Sequence, residues 1–435
     1  MNPIPSAALK RFFFVSGLTA LVVMLGVATI NLIIDPFGMF RLISYRELNQ
    51  SKPAVYHRVR LMKAYDVRRI KPRVIILGTS RTHLGLRPSH EAWATEPGPV
   101  YNLAFDGATT KEMYFYLLHA QSVQALKQVV LGLDTYHPIL SLATNRVDFN
   151  RQLLYEPRSS LSKITVLLAD LKLLLNLDTL RESFATILAQ RQSQPEWFAK
   201  NGQRLGQEFF RAPGALYREK GPRSYFDEID KQEVRYQLEW RIPSPTQAST
   251  ASDAESDRLT SLDYIEKIIL FCRDQAIDLR IFITPSHAHQ MEISATTGAW
   301  PSIENGKRAL VKLLAADAAQ HEKAFPLWDF SGYSLITTET LPPRDSVKEM
   351  SYYWESSHFK ENVGDWVLDR IYEIPHQKGS IPPEFGVRLT PDNIEQELER
   401  IRQDQAAYRL THAKEIEDIQ TLVKDFVQKH HITFD

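Results

Sequence analysis

Apolar positions along the chain fall into three patterns. From Phe12 to Ile34 they run without a single charge, and at ~1.5 Å per residue such a helix covers the ~30 Å hydrocarbon core of a bilayer. The second pattern is a series of short apolar runs that do not alternate with polar residues: Val74–Leu77 (VIIL), Pro99–Leu103 (PVYNL), Gln128–Leu133 (QVVLGL), Leu279–Thr284 (LRIFIT) and Phe325–Asp329 (FPLWD). Runs of that kind read as strands buried on both faces of a parallel sheet. Between them lie stretches with helical spacing, TTKEMYFYLLHAQSVQALK, SLDYIEKIILFCRDQAI and SIENGKRALVKLLAADAAQHEK. Strands alternating with helices predict an α/β fold built on a doubly wound five-stranded parallel sheet.

The apolar run sets the rest of the organisation. Lys10 and Arg11 precede it and Asp35 follows it, so the positive-inside bias predicts a cytoplasmic tail over 1–11, a single-pass transmembrane helix over 12–34 and a remainder across the membrane. A cleavable signal peptide is the competing reading, but its apolar core would be about 7–15 residues, shorter than this run. Pro36 and Gly38 end the helix, and the basic stretch 35–72 predicts a membrane-proximal helical spacer. An α/β domain then spans 73–375. It is interrupted over 135–257 by an insertion with helices of its own, such as SKITVLLADLKLLLNLDTLRESFATILAQRQ, and with a polar, mobile end, SPTQASTASDAESD. A peripheral helical segment, 376–435, closes the chain, with Thr390 as N-cap and Pro391 at the first helical position of one helix reaching Phe426.

Composition removes several classes of function. In 435 residues, 43% are hydrophobic, enough for a large core, and 52 basic residues balance 52 acidic ones. No overall field favours nucleic acid, and none is expected as a partner. The single cysteine, Cys272, lies in an apolar helical stretch and reads as a buried hydrophobe, so neither a disulfide nor a cysteine-based metal site is expected.

Candidate chemistry clusters where strands end. Gly78 stops the first strand and places the Ser80 hydroxyl just beyond its carboxyl end, where open α/β sheets hold their ligands. Taken alone, Gly78-Thr79-Ser80 is better accounted for by a turn and helix N-cap, so the case for chemistry comes from elsewhere in the chain. After the second strand, Asn102 and Gly107 flank a turn in which a glycine amide can serve as half of an oxyanion hole. Gly132 and Asp134 end the third strand. In YYWESSHFKENVGDW, Glu355 sits three residues before His358 and can orient its imidazole. Arg81, Asn102, His287 and His289 lie near the same edge as candidate substrate-binding residues, while His83 and His137 are polar residues without a role. His287-x-His289 invites a metal reading, but no third ligand is identifiable, and zinc sites use three or four protein ligands. GTSR also suggests a phosphate at a helix N-terminus, without the glycine spacing of a P-loop.

Taken together, these pieces resemble the SGNH (GDSL-like) hydrolase superfamily. Gly78-Thr79-Ser80 stands where the family has Gly-Asp-Ser, NLAFDGAT matches its Asn-x-x-x-x-Gly-x-Thr block, GLD at Gly132–Asp134 lies on Gly-x-Asn, and ESSH lies on Asp-x-x-His. The match covers about Arg73 to Tyr372 without the insertion. It implies an SGNH/flavodoxin-like sheet, Ser80 as nucleophile, His358 as base, Glu355 as its acid partner, and Ser80, Gly107 and Asp134 around the oxyanion. Asp134 replaces an amide donor and cannot donate unless protonated. Together with the anchor, the departures resemble the membrane-anchored envelope branch that includes the alginate O-acetylation proteins.

That branch implies a serine esterase or O-acyltransferase acting on acyl esters of cell-envelope carbohydrate. It would need no cofactor or metal and would face the periplasm from the bacterial inner membrane. Its partners would be membrane lipid, a carbohydrate substrate and a polytopic membrane O-acyltransferase. The alternative is a non-catalytic carbohydrate-binding or scaffold subunit of a polysaccharide-modification complex.

Overall fold

Val74, Ile75, Ile76 and Leu77 form β1, and none of the four exposes any surface, as expected of an apolar run with no polar alternation. In this computed structural model β1 pairs in parallel with β2 (Val100–Asn102) on one side and with β3 (Gln128–Leu133) on the other. The sheet continues through β4 (Asp278–Ile283) and β5 (Leu327–Asp329), both parallel, to β6 (Val387–Leu389), which runs antiparallel with Leu327 opposite Leu389. The order is β2-β1-β3-β4-β5-β6. A mixed six-stranded sheet therefore replaces the expected doubly wound five-stranded parallel one. β6 went unread because three residues, VRL, are too few to show a period and lie within a segment taken as wholly helical.

The structure describes residues 6–94, 98–134, 149–154, 160–191, 196–211, 215–239, 259–344, 346–374 and 381–432. His137 and the polar stretch SPTQASTASDAESD lie outside them. The chain divides into two units, one of residues 1–69 with 150–197 and the other of 70–149 with 198–435. The expected insertion is thus shared between both.

In the first unit, helix Ser6–Ile34 includes a stretch, Ala7–Ile34, long and apolar enough to cross a membrane. It stops where Asp35 turns left-handed (φ 48°) and its carboxylate accepts from the amides of Met39 and Arg41, each at 2.8 Å. Lys52 Nζ donates to the last carbonyls, Ile34 O at 2.9 Å and Asp35 O at 2.7 Å, satisfying acceptors that every helix end leaves open. A 3₁₀ turn, Pro53–Arg58, and helix Val59–Ile70 follow.

In the second unit, helix starts follow local chemistry closely. Thr109 with Glu112 opens helix Thr110–Val123 through a capping box, and Thr260 with Asp263 does the same for helix Ser261–Asp274. The single helix expected from Thr390 is instead two, Ile394–Thr411 and Ala413–His430, parted at His412. Asn393 accepts from the Thr390 amide and donates to Arg388 O, closing a turn that delays the helix past Pro391. Ile401, Tyr408 and Ile416 from this pair pack with Ala288, Met291 and Tyr333.

Candidate active site

Ser80 opens a six-residue helix, Ser80–Gly85, directly after β1. Two glycines make room for it: a Cβ on Gly78 or on Gly132, at the end of β3, would run into the Thr82 side chain. The helix is closed from beneath by Asn102, whose Nδ2 donates to Thr82 O (3.1 Å) and Leu86 O (2.9 Å) while its Oδ1 accepts from the Ala104 amide. Asn102 is fully buried, so the expected substrate contact is corrected: its amide is committed to the backbone of the Ser80 helix.

His358 arrives from the far end of the chain on a tight loop. Tyr353 and Phe359 form an antiparallel bridge, and Trp354 N donates to His358 O at 2.9 Å, which leaves Glu355, Ser356, Ser357 and His358 at the tip. His358 Nε2 lies 2.7 Å from Ser80 Oγ, and its Nδ1 donates to Glu355 Oε1. Glu355 is fully buried and also accepts from the Ser357 amide at 2.7 Å. Burial pushes its carboxyl pKa up. The opposing effects of His358, the Ser357 amide and Arg81 outweigh that and hold it below the ordinary glutamate value. A carboxylate fixed on Nδ1 keeps the proton there and leaves the Nε2 lone pair to accept from the serine hydroxyl. The extra methylene of Glu over Asp is absorbed by this second anchor on Ser357.

Gly107 sits in the turn after β2 with φ +60°, a conformation that favours glycine. Phe105 N donates to Gly78 O at 3.3 Å, tying this turn to the residues just before Ser80. Beside it, Asp106 accepts from Arg204 at 2.6 Å and from His83 Nδ1 at 3.2 Å. Burial raises the Asp106 pKa, and Arg204, His83 and His358 together drive it well below the usual carboxylate range. The sequence reading missed Asp106 and Arg204. The i,i+4 pair of Arg204 with Glu208 was the only local signal, and its partner Asp106 is far away in the chain. His83 is also placed: its Nε2 donates to Gly202 O at 3.1 Å and its ring stacks on Phe198.

Arg81 and Asp134 were expected to face substrate and oxyanion. They face each other instead, 3.1 Å apart, with both side chains only 2% exposed. Asp134 also accepts from Thr79 and from Thr284, the latter at 2.7 Å, and so is occupied as an acceptor rather than offered as a donor. Arg81 Nε donates to Ser357 O at 2.7 Å, so this ion pair ties the end of β3 to the histidine loop. Ser357 Oγ, in turn, donates to Glu233 and accepts from Gln290 at 3.1 Å.

His287 and His289 are likewise committed elsewhere, which corrects their expected role in substrate binding. His287 caps helix Ala288–Thr296, with Nδ1 accepting from the His289 amide and Nε2 donating to Glu339 O at 2.8 Å. Burial, with help from the neighbouring His289 charge, lowers its pKa to about 3. His289 donates from Nδ1 to Asp230 (2.9 Å) and from Nε2 to Glu415 (3.3 Å). Burial opposes its charge, but the two carboxylates prevail and raise its pKa to about 9. Among the described residues no group of three or more His, Cys, Asp or Glu side chains is arranged to hold a metal ion.

The site thus joins a serine hydroxyl, an imidazole and a buried carboxylate in one hydrogen-bonded chain, with Ser80 half-buried and the His358 side chain 20% exposed. No family model matches this chain, and no curated protein matches it.

Proposed function

We propose that the chain is an SGNH-type serine esterase or O-acyltransferase, anchored by its N-terminal helix and acting on acyl esters of envelope carbohydrate. The observation that carries this reading is the relay Ser80–His358–Glu355, drawn from sequence positions 278 residues apart for its first link. Strand order supports it as well, since the parallel part of the sheet runs 2-1-3-4-5, the order that gives SGNH/flavodoxin-like folds their ligand crevice at the β1/β3 switch point.

In this mechanism Ser80 Oγ attacks the acyl carbonyl as its proton passes to His358 Nε2, and Glu355 stabilises the imidazolium. The amides of Ser80 and Gly107 receive the oxyanion, with no help from Asp134. Collapse of the tetrahedral intermediate breaks the C–O bond, and His358 returns the proton to the departing alcohol. Water or a sugar hydroxyl then attacks the acyl-serine, with His358 again as base. Hydrolysis or transfer follows from how well water is excluded.

The test is covalent labelling of the full chain in detergent by a fluorophosphonate. We expect labelling that disappears in Ser80→Ala and persists in the exposed control Ser89→Ala. Equal labelling of Ser80→Ala removes the enzyme reading.

A further inference from the structure

Helices Ser160–Leu174 and Leu177–Ala189 belong to the same unit as the apolar N-terminal helix, and both pack against it. Their faces are inverted relative to a helix that meets water. In the second helix the buried residues are Thr179, Ser183 and Thr186, while Leu177 (71% exposed), Phe184 and Leu188 point outward. In the first, Ile164, Leu167, Leu168 and Leu171 are all exposed, at the i, i+3, i+4, i+7 spacing of one apolar stripe. Helices in water place such a stripe against a core, and small polar residues at the packed face are the habit of helices in lipid.

Depth settles which surroundings this stripe meets. The turn between the two helices is tied to the anchor by Asn31, whose Nδ2 donates to Leu174 O (2.8 Å) and Asn176 O (3.2 Å) while its Oδ1 accepts from Ser183 Oγ (2.9 Å). Counted from Phe12, just past Lys10 and Arg11, Asn31 stands about 29 Å along the helix at ~1.5 Å per residue, at the outer edge of a ~30 Å hydrocarbon core. The connecting turn, with Leu175 and Leu177 exposed, is therefore held at that edge.

We propose that residues 160–189 form a helical hairpin seated in the membrane interface, with the stripe Ile164–Leu171 and the side chains of Leu177, Phe184 and Leu188 in the acyl boundary. Interfacial helices seat their apolar face ~5–10 Å into that layer. The hairpin gives the chain a second hold on lipid and fixes the orientation of the first unit on the bilayer. This inference rests on reading Ala7–Ile34 as a membrane span.

The experiment uses the full chain reconstituted into vesicles of phosphatidylcholine and phosphatidylglycerol. Leu171→Cys, Leu177→Cys, Phe184→Cys, Val22→Cys in the anchor and Lys312→Cys at an exposed position of the second unit are each spin-labelled, and collision with oxygen is compared with collision with a water-soluble nickel chelate. Native Cys272 is buried with its thiol pKa pushed up to about 12, so the introduced thiols label selectively. We expect a severalfold preference for oxygen at 171, 177, 184 and 22, and for nickel at 312. Nickel preference at all three hairpin positions with oxygen preference at 22 overturns the hairpin and leaves the anchor standing. Shielding of the hairpin from both reagents means that protein covers this face, and it overturns lipid contact. Nickel preference at 22 sinks the anchor reading and the hairpin with it.

Discussion

His358 and His289 begin alike: each donates from Nδ1 to a carboxylate, Glu355 or Asp230. They part at Nε2. In His358 that nitrogen meets the Ser80 hydroxyl 2.7 Å away, whereas in His289 it meets a second carboxylate, Glu415. An imidazole between two carboxylates is held as a cation and has no lone pair to offer. An imidazole between a carboxylate and a hydroxyl can take a proton and give it back. The lesson is that the far-side partner, not nearness to a sheet edge, separates an imidazole free to accept a proton from one held as a structural cation.

The largest expected effect breaks the comparison at the His358 end, where the proposed relay lies. Ser80→Ala or His358→Ala should lower ester turnover of the full chain by about 10³-fold or more, with the double variant no worse than either single one, since members of a relay act as a unit. Steady-state kinetics on an acetyl ester check this. Glu355→Gln keeps the shape but not the charge that fixes the imidazole tautomer. Its kcat should fall by about 10²–10⁴-fold with a smaller change in KM.

On the structural end, His289→Leu leaves Asp230 and Glu415 facing an apolar group. We expect a loss of about 3–5 kcal/mol of stability in urea unfolding, the usual cost of removing one member of a buried pair. Turnover by the protein that remains folded should be little changed. A result in which His289→Leu abolishes turnover without loss of stability would make the two histidines equals.

Smaller still is the pH dependence. His289 has a folded pKa of about 9 against an ordinary 6.5, so the folded state binds the extra proton between those values. Its contribution is complete below pH 6.5 and is lost as pH rises through 9, at up to ~1.4 kcal/mol per pH unit. His287, with a folded pKa of about 3, contributes above 6.5 and loses that contribution as pH falls toward 3. Unfolding free energy should therefore peak near neutral pH. His289→Gln should flatten the alkaline limb and His287→Asn the acid limb, measured by urea midpoints across pH 4 to 10.

A good part of the α/β unit was legible in its letters. VIIL and QVVLGL have no polar alternation, and both strands are fully buried as that pattern requires. The stretches read as helical, TTKEMYF and SLDYIEK, begin helices in the structure because capping, here by Thr109 and Thr260, is a contact within four residues. The pairing of Ser80 with His358 was suggested by motif order, and the structure brings the two together. What could not be read was long-range pairing of polar groups. Arg81 and Asp134 each end a segment at the sheet edge, and nothing local says that they face each other rather than a ligand. The same holds for His289, whose carboxylates come from Asp230 and Glu415. β6 was hidden by its three-residue length.

The amino-acid order by itself determined the apolar span, the longer buried strands and the helices that open at capping boxes, because each depends on residues within a turn or two of one another and on transfer of apolar surface from water. Only the tertiary structure decided which imidazole nitrogen stays open, which charges neutralise one another, and which helices turn their leucines outward. Those outcomes depend on what folding brings within 3 Å of a group, and distance along the chain carries no record of it.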